Sequence, residues 1–194
     1  GYNDAKLVVA GKGGMLDELK AEAEALGLGN KVYFAGYLGG KDVEKMYKAA
    51  DVLVFPSTYE PFGIVALEGM LSERPIVVSD AGGLAEIVQH RETGMKSYCG
   101  NPNSIADSIL ELLYNPELYA NIVKKAKQKV KNDYNWTKIA QDTHFTYQKA
   151  ICQSVAEKQK RELEQERARK TKKTKNTEKE ITNLLNFKKR QAYA

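Results

Sequence analysis

Along the first 115 residues, short β-branched runs closed by glycine alternate with stretches whose apolar residues return every three or four positions. "AKLVVAG" (5–11) reads as a strand. In the "GGMLDELKAEAEALGLG" that follows, Met15, Leu19, Ala23 and Leu26 recur at helical spacing, and Gly27 and Gly29 supply the stop. "KVYFAG" (31–36) is a second strand, and "KDVEKMYKAA" (41–50) a second helix with Val43, Met46 and Tyr47 on one face. The rhythm continues through "DVLVFPS" (51–57), a helix beginning near Gly63, "PIVVSD" (75–80), the short helix "LAEIVQ" and "MKSYC" (95–99). Asn101 and Ser104 introduce a further helix, in which Ile105, Ile109 and Leu112 face inward. Strands alternating with helices of this length predict βαβ units, hence an α/β domain with a parallel sheet covered on both faces.

Helices continue from Pro116, and Asn135 is placed to cap a last one beginning at Trp136, along which Ile139, Thr143 and Tyr147 repeat. After Cys152 the pattern changes. "EKQKRELEQERARKTKKTKNTEKE" (157–180) holds one large apolar residue, Leu163, and cannot bury enough surface to join a core. Residues 1–152 therefore read as the folded domain, and 153–194 as a charged tail, helical or disordered. "ITNLLNF" (181–187) is the one sticky point in it.

Charge follows the same division. Residues 1–152 carry 17 Lys and Arg against 19 Asp and Glu, a net of −2, whereas residues 153–194 carry 13 against 6, a net of +7. The basic character belongs to the tail, so nucleic acid is not an expected partner of the domain. For the tail, RNA or peripheral contact with an anionic membrane stands beside the plainer reading of a solvated charged helix. No apolar run approaches the ~20 residues of a membrane span and no signal peptide opens the chain, which points to a cytoplasmic protein. Cys99 and Cys152 fit no zinc or redox spacing, and the lone histidines His90 and His144 have no ligand-spaced partners. No metal site is expected.

Ligands of parallel α/β sheets sit beyond the carboxyl ends of the strands. That selects four loops: "GKGG" (11–14, with Gly11, Lys12 and Gly13), "GYLGG" (36–40), "STYEPFG" (57–63) and "SDAGG" (79–83). "GKGG" is neither a Walker motif nor a full dinucleotide fingerprint, and alone it reads better as a plain turn. "STYEPFGIVALE" is more informative. Phe62, Gly63 and Ile64 fall where free N–H groups at a helix start meet a diphosphate. Glu60 in the loop and Glu68 farther along the helix are carboxylates, which accept two hydrogen bonds at once from a vicinal diol. One anion site flanked by two diol readers describes a nucleotide diphosphate sugar. The bland alternative, a loop residue and a solvated helix position, stays open on spacing alone.

From "DAKLVVAGKGG" through "NWTKIA", the chain resembles the C-terminal, donor-binding domain of the retaining GT-B glycosyltransferases. Within these it is similar to the large glycogen, sucrose and lipopolysaccharide synthase-like family (group 1, family 4). "LVVAGKGG", "VYFAGYL", "YKAADVLVFPSTYEPFGIVALEGM" and "PIVVSDAGGLAEIV" carry the likeness, with the E-x7-E pair Glu60 and Glu68 its most specific element. The resemblance implies a Rossmann-like sheet and metal-independent transfer with retention, needing no cofactor beyond the nucleotide-sugar substrate. It makes Glu60 the residue on the donor sugar and Glu68 the ribose reader. The backbone of Pro61, Phe62, Gly63 and Ile64 would meet sugar and phosphates, and Tyr37 and Leu38 the base. In such enzymes the domain opens with a strand and loop bearing an Arg and a Lys that neutralise the pyrophosphate, and a separate N-terminal domain binds the acceptor. This chain matches from one βα unit later. The expectation is a donor-binding half, inactive alone; the alternative is a non-catalytic nucleotide-sugar-binding or scaffold subunit that needs a partner chain.

Overall fold

The strand Ile76–Ser79 is buried at every position, as a central strand of a parallel sheet should be. A computed structural model describes residues 4–191, with side chains described except at positions 166, 171–178 and 180–191. The elements are β1 (Leu7–Ala10), α1 (Leu16–Ala25), β2 (Val32–Gly36), α2 (Lys41–Ala49), β3 (Leu53–Phe55), α3 (Ile64–Leu71), β4 (Ile76–Ser79), α4 (Gly82–Ile87), β5 (Met95–Ser97), α5 (Pro102–Tyr114), α6 (Pro116–Asp133) and α7 (Trp136–Gln191). The predicted alternation is present in order. Asparagine caps set the last three helix starts, because each Oδ1 accepts an N–H left free in the first turn. Asn101 takes that of Ser104 at 3.0 Å, Asn115 that of Leu118 at 3.0 Å, and Asn135 that of Lys138 at 2.9 Å.

All strand pairing is parallel, but the strands form two sheets, where the alternation alone predicts one. One sheet has the order β1-β2 and the other β3-β4-β5. The second holds the core. Ile76 and Val78 pack on one face with Leu53, Ala66, Met70, Leu84 and Ile87. Val77 packs on the other with Met95, Leu112 and Ile122, and Ile105 and Ile109 lean on that cluster as their spacing predicts. Each Val, Leu, Ile or Met among them contributes about 1.5–3 kcal/mol when fully buried. The β1-β2 piece is different. Ala23 is the one buried residue among those described before Ala50. Leu7, Val8, Leu19, Leu26 and Tyr33 are exposed. The apolar stripe of α1 is present as a pattern and largely unburied, because β1 and β3 do not pair and no common core forms beneath it.

Residues up to Tyr134 form one unit and those from Asn135 a second, consisting of α7. The helix runs through Cys152, where the composition changes, without a break. Its Trp136, Tyr147, Ile151 and Val155 are exposed.

Candidate functional site

The loop from Ser57 to Gly63 leaves the carboxyl end of β3 and turns into α3. Gly63 is the residue before the helix, at φ 93°, a left-handed conformation open to glycine at little strain. An added Cβ there would stand 3.1 Å from a Leu84 methyl and 3.3 Å from an Ile87 methyl. Glu60 reaches forward, and its Oε1 accepts the Gly63 N–H at 3.2 Å. The first turn of α3 holds no acidic residue, so that carboxylate is the negative charge nearest the positive end of the helix dipole. Glu60 is half-buried and held by one oxygen, which leaves its other oxygen to accept a hydroxyl. Phe62 and Ile64 beside it are 55% and 59% exposed, as is Tyr59 at 80%. Apolar groups collected at a loop are a mark of a binding surface.

A second loop supports this one. Gly83 N–H donates to the Glu60 carbonyl at 2.8 Å. A Cβ on Gly82 would lie 2.3 Å from the Glu60 carbonyl oxygen, and one on Gly83 2.1 Å from that of Phe62. The glycines of "SDAGG" thus let two backbones meet. Sequence reasoning marked that loop for ligand approach and left its glycines out of the site; two consecutive glycines directly after a strand were the available signal.

Glu68 is exposed on α3. Tyr47, from α2, lies near it. Burial first, and the Glu68 charge second, push the Tyr47 hydroxyl above its ordinary pKa of 10.0. Tyr47 also packs edge-on against Phe55 at 6.0 Å between ring centres, which ties α2 to β3. Sequence reasoning had Tyr47 as a core-facing position only.

The other predicted residues group separately. Gly11 N–H donates to the Gly36 carbonyl at 2.7 Å. Lys12 Nζ stands 5.8 Å from the centre of the Tyr37 ring. The loops after β1 and β2 are therefore joined, with Gly11, Lys12, Gly13 and Tyr37 exposed and Leu38 half-buried. A cavity of about 360 Å³, lined among others by Asp80, His90, Lys96, Tyr98 and Glu111, includes none of the residues expected to meet the nucleotide sugar, although Asp80 belongs to the "SDAGG" loop. Three of its charges are engaged, Lys96 with Asp80 at 2.9 Å and Glu111 with Arg91, and Asp107 lines it as well. His90 Nδ1 accepts the Lys96 N–H at 3.0 Å, a structural role. Among the described residues, no group of three or more His, Cys, Asp or Glu is placed to hold a metal ion. Among the same described residues, no helix is long and apolar enough to cross a membrane.

Residues 2–129 match the family model described as "Glycosyl transferases group 1". The chain belongs to that family. Among curated relatives, an uncharacterized glycosyltransferase of Methanocaldococcus jannaschii is 45% identical over 149 residues, covering 77% of this chain and 38% of the relative. Glycogen synthase of Mycobacterium tuberculosis is 31% identical over 141 residues, covering 73% and 34%. The group 1 chain thus spans little more than a third of the length of these relatives. Among solved structures, an Anabaena protein in complex with UDP superposes with a TM-score of 0.68 at 28% identity, covering 75% of this chain and 41% of that one. The expected fold class holds: a glycosyltransferase domain with parallel sheets and helices on both sides.

Proposed function

We propose that the domain is the donor-binding half of a retaining, metal-independent glycosyltransferase and that its ligand is a nucleotide diphosphate sugar, a UDP-sugar first among them. The observation that carries this is the α3 start. Glu60 is anchored by one carboxylate oxygen to the Gly63 N–H, at the amino end of a helix without acidic residues in its first turn. A carboxylate fixed beside an anion-favouring helix end supports the reading of Glu60 as the acceptor for sugar hydroxyls. The backbone around Phe62 and Ile64 takes the diphosphate, the Gly63 N–H being given to Glu60, while Glu68 takes the ribose diol and the Gly11–Gly13 and Tyr37–Leu38 loops the base side. The fold neighbour in complex with UDP supports the choice of nucleotide.

We infer further that this half is completed by a strand from a longer protein or a partner chain. The free edges of β1 and β3 support it. A parallel strand between them would join the two sheets into the order 2-1-x-3-4-5, the doubly wound arrangement whose ligand site lies at the strand-order reversal. The same reading makes the isolated chain inactive, because positioning donor against acceptor supplies much of a transferase's rate.

Calorimetry with UDP, ADP and GDP tests the ligand. Glu68→Gln keeps the side chain's shape and removes charge-assisted acceptance, at about 1.5–3 kcal/mol of nucleotide affinity. Undiminished affinity of the best ligand for that variant sinks the ribose assignment. Binding of none of the three by a chain completed with its upstream partner sinks the donor reading.

A further inference from the structure

We propose that the carboxyl-terminal part of α7, residues 167–191, docks on an anionic lipid surface and tethers the chain to a membrane. Between Arg167 and Lys175 six of nine residues are Lys or Arg and none is acidic. A second cluster, Lys188, Lys189 and Arg190, follows. Between the clusters lie "NTEKE" (176–180), with Glu178 and Glu180, and then "ITNLLNF", and α7 extends as one helix through all of it to Gln191. At about 100° per residue, positions 181, 184, 185 and 187 fall within one sector of about 160°. These are Ile, Leu, Leu and Phe. Positions 182, 183, 186, 189 and 190 fall in the opposite sector, and all are polar or basic; Glu180 and Lys188, just outside the two ends of the run, fall in the apolar sector. Two helical turns apolar on one side, with Lys188 at their end long enough to reach back to the headgroups, and basic clusters on either side along the helix suit the boundary between headgroups and acyl chains.

Two other occupants fit less well. A nucleic-acid backbone engages the charges and leaves an apolar sector of Ile, two Leu and Phe without use. A second copy of the helix needs a seam that repeats along it. Continuing that sector backward by the same spacing meets Thr177, Thr174, Lys170 and Arg167, so a paired helix would place like charges together. The bilayer alone uses both features. This tether goes beyond donor binding and does not depend on it.

The test is sedimentation of the full chain with vesicles of phosphatidylcholine, and with vesicles in which about a third of the lipid is phosphatidylglycerol. The chain should pellet with the anionic vesicles and stay in solution with the neutral ones, and high salt should release it. Replacing Lys170, Lys172 and Lys173 by Ala should lower partitioning about a hundredfold, at roughly fivefold per charge. Leu184→Asp with Leu185→Asp should lower it at least tenfold, since two buried apolar side chains are lost and two negative charges added. Equal pelleting with both vesicle types overturns the proposal. So does a Leu184→Asp/Leu185→Asp variant that binds anionic vesicles like the parent chain. If that variant also binds a single-stranded RNA undiminished, while the lysine variant does not, the segment is a nucleic-acid patch instead.

Discussion

Gly83→Ala is the sharpest probe of how the Glu60 loop is held. The new Cβ would stand 2.1 Å from the Phe62 carbonyl oxygen, 2.5 Å from its carbon and 2.7 Å from its Cα. All three atoms are backbone, so no side-chain rotation relieves the contact. To restore a separation of 3.0 Å the two loops must part by about 0.9 Å. The hydrogen bond from Gly83 N–H to the Glu60 carbonyl, now 2.8 Å, would then exceed hydrogen-bonding distance. Overpacking of this kind costs about 1–3 kcal/mol, and a lost hydrogen bond about 0.5–1.5 kcal/mol. A total near 2–4 kcal/mol follows from the two together, a large share of an ordinary domain's stability. Urea melts of parent and variant measure it, and nucleotide calorimetry on the same samples reports whether the Glu60 carboxylate moves with its backbone. Gly13→Ala is the control, because nothing lies within 4 Å of its added Cβ; it should stay within about 0.5 kcal/mol of the parent. A Gly83→Ala protein as stable as Gly13→Ala would refute the account of the paired loops.

Two further outcomes follow from the same geometry. Tyr47 has its pKa raised in the folded state, so its stabilising contribution is fully present below the unfolded value near 10.0 and is lost as pH rises through the higher folded value. Tyr47→Phe should flatten the alkaline limb of a stability–pH profile, and an unchanged limb would show that burial and the Glu68 charge do not raise the Tyr47 hydroxyl. Removal of residues 157–194 deletes no residue of either core cluster; the melting temperature should hold within a few degrees while vesicle binding is lost, and a collapse on truncation would mean the tail packs on the body.

What was legible in the sequence follows what is local. The asparagine caps at Asn101, Asn115 and Asn135 act on N–H groups three residues on, so their helix starts could be placed from the chain alone. Gly63 could be marked because a left-handed residue before a helix needs glycine. The inward face of α5 could be read from three residues at helical spacing. The contact of Gly82 and Gly83 with the backbone of Glu60 and Phe62 could not be read this way: it joins segments more than twenty residues apart, and a Gly-Gly pair looks the same whether backbone or phosphate approaches it. Tyr47 was hidden for a similar reason, since spacing shows that it faces inward and says nothing of the carboxylate it meets.

The division into two sheets is where local pattern reaches its limit. "AKLVVAG" and "KVYFAG" are strands by any local measure, and they pair with each other in parallel register from Leu7 opposite Val32. Parallel pairing supplies their hydrogen bonds and leaves burial to whatever covers the faces. In β3-β4-β5 those faces are covered by α3, α4, α5 and α6, and nearly every core residue lies there. In β1-β2 the same kind of residue, Leu7, Val8 and Tyr33, stays in solvent. An exposed parallel pair with a free edge is a template for further pairing. The apolar content of β1, α1 and β2 therefore makes physical sense as half of an interior, and the proposed strand between β1 and β3 is the element that would turn it into one.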